Sequence, residues 1–112
     1  MNVTIDVMPG TSPNLINLRS KGVIPVAIFT TTNFDATKID VSTVLFGPNR
    51  VGPSQYSLKD VDKDGDVDLM LQFDDAKTVF NNEDTVATIT AITNDNKYVI
   101  GSDSIVIVPQ KK

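Results

Sequence analysis

Hydrophobic residues recur at every second position along most of this chain, in short segments rich in Val, Ile and Thr. A period of two is typical of a strand with one buried face, whereas an amphipathic helix repeats near 3.6 residues. Residues 69–73 show the pattern clearly, because Leu69, Leu71 and Phe73 alternate with polar neighbours or methionine. The pattern predicts strands over residues 3–7, 15–18, 23–29, 43–46, 56–59, 69–73, 85–92, 98–100 and 104–108.

Turn-forming residues separate these segments, including Pro9-Gly10, residues 20–22, two Gly-Pro pairs at 47–48 and 52–53, and residues 94–96. Seven to nine short strands with turns between them, and no helical pattern of ten residues, predict an all-β fold of the immunoglobulin-like β-sandwich type. A chain of 112 residues supports one hydrophobic core and not two. We therefore expect a single domain over residues 1–112.

Two local features refine this prediction. Pro25 has no N–H to donate to a β-ladder, so the strand over residues 23–29 is expected at a sheet edge or bulged at that point. Residues 35–40 form a polar connection that suits one helical turn, and residues 74–78 suit a turn or a single capped helical turn.

Composition excludes several function classes. The chain has no Cys and no His, so disulfides, thiol nucleophiles, imidazole bases and His- or Cys-ligated metals are impossible. The chain is acidic, with a net charge of −4, and this argues against a nucleic-acid partner. No apolar run approaches the length of a membrane span.

The most informative segment is a run of aspartates over residues 60–68, each separated from the next by one residue. Five of the 14 acidic residues lie there, with Lys63 as the one basic residue among them. Since the rest of the chain carries nine acids and nine bases, the whole net charge belongs to this segment. Carboxylates at such density raise one another's pKa unless a cation neutralises them.

The spacing matches the ladder of oxygen ligands in a calcium loop, with Gly65 at the sixth position where the chain turns sharply. Carboxylates at positions one, three and five converge, position seven offers its backbone carbonyl, and position nine closes the shell with both oxygens. An EF-hand would need an acid at position twelve, where this chain has Leu71. The predicted metal-site residues, in order, are Asp60, Asp62, Asp64, Asp66 (its side chain directed outward) and Asp68.

An all-oxygen site with many ligands favours Ca²⁺ over Mg²⁺, zinc or copper. The alternative is a solvated acidic hairpin tip that binds nothing. A calcium site in the affinity range of extracellular modules, with a dissociation constant of about 10⁻⁴ to 10⁻³ M, would not be filled by the scarce calcium of the cytosol. The expected location is therefore extracellular or at the cell surface. The remaining acids, at 74–75, 83–84 and 95, are interpreted as turn and cap residues and not as a second site.

Several motifs in fixed order resemble an uncharacterised β module of large secreted and surface proteins in bacteria and archaea. They are VTIDVMPG at 3–10, PNLINL at 13–18, SKGVIPVAI at 20–28, FDAT at 34–37, STV at 42–44, FGP at 46–48, the acidic loop and GSDSI at 101–105. The loop by itself is similar to those of FG-GAP/VCBS and thrombospondin type 3 repeats. The resemblance implies an extracellular, calcium-binding module and no particular activity; the ending Lys111-Lys112 departs from it.

These features favour a non-catalytic module with a structural, adhesive or assembly role, whose partners are calcium, neighbouring domains or copies of itself. One variant donates an edge strand, from residues 3–7 or 105–108, to a neighbouring subunit of a filament. The alternative is a carbohydrate-binding module attached to a secreted enzyme, with Tyr56, Tyr98 and Phe34 as the aromatic candidates toward surface glycans.

Catalysis is not expected. Paired carboxylates hydrolyse glycosides, but the clustered aspartates are committed to the cation, and the acids at 74–75 and 83–84 diverge because they are adjacent in sequence. A Lys–Asn crosslink between strands is chemically open, and the sequence does not favour it.

Overall fold

The computed structural model describes residues 1–10, 14–17, 22–81 and 83–108, and its regular structure is almost entirely strand. Beside the strands, the described residues contain a 3₁₀ turn at Ala36–Lys38 and a four-residue helix, α1, at Asp75–Thr78. The strands are β1 (Ile5–Val7), β2 (Leu15–Asn17), β3 (Val23–Ile28), β4 (Ile39–Phe46), β5 (Gln55–Lys59), β6 (Asp68–Asp74), β7 (Val86–Thr93), β8 (Tyr98–Ser104) and β9 (Val106–Val108).

These nine strands form three sheets. The largest is antiparallel and has the order β1-β3-β6-β5, the second is antiparallel with the order β4-β7-β8, and β2 pairs with β9 in parallel. The predicted all-β class is therefore confirmed, and every predicted strand has a counterpart within a few residues. Both predicted helical turns are present as well.

The hydrophobic core contains buried residues of both larger sheets and of β2 and β9, and the alternation read from the sequence shows which residues enter it. On β6, Leu69, Leu71 and Phe73 are buried, and the facing sheet contributes Phe46. The Phe46 ring stacks on Phe73 at a centroid distance of 4.5 Å and meets the ring of Phe80 edge-on at 5.8 Å. Offset and edge-on ring pairs add to the apolar burial that joins the sheets.

The start of the chain joins both sheets. The N–H of Val3 donates to the carbonyl of Ile100 on β8 at 2.9 Å, and the N–H of Ile100 donates to the carbonyl of Met1 at 3.0 Å. A few residues later β1 pairs with β3 in the other sheet. Gly101 permits this crossing, since a Cβ there would lie 2.6 Å from Cγ2 of Ile5.

The prediction that Pro25 marks an edge or a bulge is wrong. β3 lies between β1 and β6, and Pro25 pairs in regular register with Gln72 of β6. The carbonyl of Pro25 accepts from the N–H of Met8 at 2.8 Å, so its imino side also faces β1. Since β1 ends at Val7, the N–H that Pro25 lacks would have donated just beyond the end of β1. No hydrogen bond between β3 and β6 is lost.

Some predicted features lie outside the described residues: the end of the second strand at Leu18, the turn residues Ser20 and Lys21, and the C-terminal residues 109–112. Among the helices of the described part, none is long and apolar enough to cross a membrane.

Candidate metal centre

The acidic run occupies the loop of a β-hairpin, as the sequence predicts. β5 and β6 are antiparallel neighbours, and their last pair is Lys59 with Asp68. Asp60 therefore follows directly after one strand, and Asp68 begins the other. The loop between them is held at both ends by the same ladder.

Four of the five predicted aspartates converge. Each of Asp60, Asp62, Asp64 and Asp68 offers a carboxylate oxygen, and these four oxygens all lie within 4.8 Å of one another. Asp66 is exposed, and its carboxylate is not part of the cluster. Position seven is thus the predicted site residue whose carboxylate lies outside the cluster. The arrangement can hold a metal ion among four oxygens from residues one, three, five and nine of the loop.

The loop backbone wraps around the first carboxylate. The N–H of Gly65 donates to Oδ2 of Asp60 at 2.8 Å, and the N–H of Asp64 donates to Oδ1 of Asp60 at 3.2 Å. The N–H of Asp66 donates to Oδ1 of Asp64 at 2.9 Å. Gly65 has a φ of +95°, in the region that glycine occupies without steric cost, and Lys63 has a φ of +60°.

Asp68 differs from the other three because it is fully buried, with none of its surface exposed. Its Oδ2 accepts from the N–H of Val61 at 2.9 Å, and its Oδ1 accepts from the N–H of Thr30 at 2.8 Å. Each carboxylate oxygen has a second lone pair that remains available to a cation. Asp68 thus ties the end of the loop to its beginning and to the segment after β3.

Thr30 is the residue that sequence reasoning missed. Besides its N–H bond to Asp68, its hydroxyl donates to the carbonyl of Val67 at 2.6 Å and accepts from the N–H of Ala36 at 2.9 Å. The loop is therefore connected to the 3₁₀ turn, 30 or so positions away in sequence. No spacing rule could indicate this, because the contact depends on the pairing of β3 with β6.

The electrostatics reflect crowded negative charge. Desolvation raises the pKa of Asp62 to about 6, and the neighbouring carboxylates of Asp64 and Asp68 contribute to the rise. Desolvation acts in the same direction on Asp60, but the N–H donors of Gly65 and Asp64 outweigh it, so the pKa of Asp60 is lowered. Within the described ranges, the ion pairs are Lys77 with Asp74 and Lys97 with Asp95, and neither involves the loop.

The acids interpreted as turn and cap residues differ in their surroundings, since Asp84 and Asp95 bond within turns whereas Asp74 ends β6 and Asp75 begins α1. The carboxylate of Asp84 accepts from the N–H of Asn81 at 2.9 Å, and Asp95 hydrogen-bonds the hydroxyl of Thr93. Asp74 precedes α1 but makes no side-chain capping bond. Asp75 is buried at the start of the helix.

The three aromatic candidates differ in position and in exposure. Tyr56 lies on β5 and Tyr98 on β8, in different sheets, and both are more than half exposed. Phe34 is partly buried and packs against the core. Tyr56 and Tyr98 therefore do not share one strand face on which a sugar chain could stack.

Neither the family models nor the curated proteins compared with this chain match it. The resemblance to a secreted β module therefore stays an expectation.

Proposed function

We propose that this chain is a non-catalytic, calcium-binding structural module of the cell exterior. The observation that carries the proposal is the convergence of Asp60, Asp62, Asp64 and Asp68, whose oxygens lie within 4.8 Å of one another. The backbone N–H groups of the loop stabilise this crowding, but they supply no full positive charge. A divalent cation would supply it.

Calcium is the ion that this donor set favours. The site offers four carboxylate oxygens, to which we expect position seven to add a backbone carbonyl, and the chain has no His or Cys to supply a nitrogen or sulfur ligand. A turn built from exposed residues adjusts its ligand distances, and this flexibility suits Ca²⁺ better than the strict octahedron of Mg²⁺. Sites of extracellular modules bind at about 10⁻⁴ to 10⁻³ M, and this range sets the expected affinity.

The role would be structural because the site lies in the hairpin loop between two paired strands. A filled site would hold the ends of β5 and β6 together and, through Asp68, keep Thr30 and the 3₁₀ turn in place. We infer further that the two larger sheets form an immunoglobulin-like sandwich, supported by the N-terminal segment that pairs with β8 and then with β3. Its partners would be neighbouring domains or further copies of the chain.

Isothermal titration calorimetry with CaCl₂ and with MgCl₂ tests the proposal. The chain offers a matched pair of variants in one loop: Asp64→Asn removes a clustered carboxylate, whereas Asp66→Asn removes the same charge outside the cluster. We expect calcium affinity to fall at least about tenfold for Asp64→Asn, as expected on losing one ligand, and to change about threefold or less for Asp66→Asn.

Two results would contradict the proposal. If millimolar calcium produces no heat in the calorimeter and no chemical-shift change in NMR spectra, the loop does not bind calcium. Equal losses in the two variants would show that the ion senses only net charge, and not the four-carboxylate site.

A further inference from the structure

β5 is an edge strand whose apolar side chains are left uncovered. It pairs with β6 on one side and, among the described strands, with none on the other. All five of its residues are exposed. The other strands of this sheet, β1, β3 and β6, each have at least two buried residues, so β5 stands apart from them.

The register shows that this exposure is on the core side. Tyr56 pairs with Leu71 and Leu58 pairs with Leu69, and directly paired residues project from the same face of a sheet. Leu69 and Leu71 are at most 1% exposed, yet Tyr56 is 58% and Leu58 is 53% exposed. The apolar face of the sheet therefore continues past the area that the second sheet covers.

An edge of this kind accepts another strand, because its free N–H and C=O groups are a template for pairing. The strand that fits must place apolar side chains beside Tyr56 and Leu58, and polar ones beside Ser57 on the opposite face. It must also tolerate the positive charge of Lys59 at one end of β5.

β5 itself meets these requirements when a second copy is related to the first by a two-fold axis at Ser57. Antiparallel pairing then sets Tyr56 opposite Leu58 of the second copy, and Leu58 opposite its Tyr56. Gln55 lies opposite Lys59, so no like charges meet. Aromatic–aliphatic cross-strand pairs of this sort are favourable.

The alternative antiparallel register centred on Leu58 is poorer, since it sets Tyr56 opposite Asp60 and loses both aromatic–aliphatic pairs. The acidic loops are compatible with the Ser57 register. Asp60 of one copy would lie about six residues along the strand from Asp60 of the other, roughly 20 Å at 3.3 Å per residue. That distance exceeds the Debye length of about 8 Å at physiological salt, so the repulsion between the loops is screened.

We propose that β5 is a self-association edge, through which two copies of this chain join their four-stranded sheets antiparallel about Ser57. The contact is isologous, so it closes a dimer and does not propagate. It rests on the proposed structural role, to which it adds a specific partner surface. Calcium is not required for the strand pairing itself, and the two proposals can therefore fail separately.

Crosslinking tests the register directly, because the chain has no cysteine. In Ser57→Cys the introduced thiols would lie on the two-fold axis, with Cα atoms about 4.5–5.5 Å apart, within the range that a disulfide spans. Mild oxidation of the purified protein should give a covalent dimer for this variant. Ser102→Cys, an exposed position on β8, is the matched control and should stay monomeric under the same conditions.

A mixture extends this test. When the two single variants Gln55→Cys and Lys59→Cys are mixed and oxidised, they should give a disulfide-linked dimer that contains one copy of each. Each variant oxidised alone should give little covalent dimer. Equal crosslinking of Ser57→Cys and Ser102→Cys, or no crosslinking of either, would overturn the register.

Sedimentation velocity of the unmodified chain from 10 μM to 1 mM tests the association. We expect a concentration-dependent dimer that Tyr56→Lys weakens at least about fivefold, the loss of one favourable pair on each side of the axis. Tyr98→Lys is the matched control, since Tyr98 is 55% exposed on another sheet, and it should leave the dimer unchanged. Circular dichroism checks that both variants fold.

If the unmodified chain sediments only as a monomer at 1 mM, the proposal is overturned. The free edge of β5 would then be open to a strand of another protein. An equal effect of the two lysine variants would overturn it as well. Repeating the measurement with calcium and with chelator, beside the calorimetry, separates this result from the outcome for the metal site.

Discussion

The N–H of Thr30 donates a 2.8 Å hydrogen bond to Oδ1 of Asp68, across 38 positions of sequence. This bond joins the segment after β3 to the buried end of the acidic loop. Asp68 has two functions in this arrangement: it belongs to the carboxylate cluster, and it satisfies backbone donors of two separate segments. Its loss should therefore affect the fold even when no metal is present.

We expect Asp68→Asn to destabilise the metal-free protein by about 1–3 kcal/mol. The amide that replaces one carboxylate oxygen would face the N–H of Thr30 or of Val61, and a buried donor without an acceptor costs this much. Urea unfolding in EDTA measures the difference. Asp66→Asn is the control and should change the free energy of unfolding by no more than about 0.5 kcal/mol, as expected for an exposed residue. Equal stability of the two variants would contradict the structural role of Asp68.

Calcium should stabilise the protein to a moderate degree. With a dissociation constant of about 10⁻⁴ to 10⁻³ M, 1 mM free calcium adds about 0.4–1.4 kcal/mol to the free energy of unfolding. For a chain of this length that is a rise in Tm of about 2–6 °C. Differential scanning calorimetry in calcium and in EDTA measures the shift, with magnesium giving a smaller one. A Tm that is the same in both buffers would argue against the site.

Gly101→Ala should disturb the crossing of the N-terminal segment. A Cβ at this position would lie 2.6 Å from Cγ2 of Ile5 and 3.0 Å from the carbonyl oxygen of Val3. Because backbone and a buried side chain would both have to shift, we expect a loss of about 1–3 kcal/mol, as for other overpacked sites. Gly52→Ala is the matched control, since its nearest atom would be the carbonyl oxygen of Val44 at 3.8 Å.

Thermal denaturation of the two glycine variants provides the measurement. The difference should appear in Gly101→Ala alone, because ordinary van der Waals distances surround the added methyl group at Gly52. A stability of Gly101→Ala equal to that of the unmodified protein would show that the start of the chain does not pack against β8 as described.

Asp6→Asn should raise stability at neutral pH. Burial raises the pKa of Asp6, and the nearby Asp103 carboxylate raises it further. The folded protein thus holds this proton more tightly than the unfolded chain does, so stability decreases as the pH rises above the ordinary value of 3.8 and through the raised pKa. Replacing Asp6 with Asn removes this pH-dependent loss of stability. The free energy of unfolding of the variant should therefore gain up to about 1 kcal/mol at pH 7 relative to pH 3.

The opposite dependence of stability on pH is expected for Asp35. A hydrogen bond from the hydroxyl of Thr37, together with its N–H, lowers the pKa of Asp35. Its charged form therefore adds stability that is present above pH 3.8 and is lost as the pH falls through the lowered pKa. Asp35→Ala should lower stability at pH 7 more than at pH 3. Urea unfolding of both variants at the two pH values measures these differences, and the same sign for both would contradict the assignment.

Alternation along the chain determined most of the secondary structure, and the physical reason is local. A side chain's face on a strand follows from its position, so Leu69, Leu71 and Phe73 could be assigned to one buried face before any partner was known. The spacing of the aspartates likewise determined which carboxylates converge, because a tight turn with Gly65 brings positions one, three, five and nine together. It also indicated that the Asp66 side chain would be directed outward.

Strand neighbours were decided only by the tertiary structure, because periodicity identifies a face but not a partner. Pro25 is tolerated in an inner strand because β1 ends beside it. The sequence of residues 23–29 gives no indication of where β1 ends. Thr30 reaches Asp68 because β3 and β6 are adjacent, and Tyr56 is exposed on the core side because the second sheet does not extend over β5. Such contacts join residues far apart in the chain, and they exist only after the sheets have formed and packed.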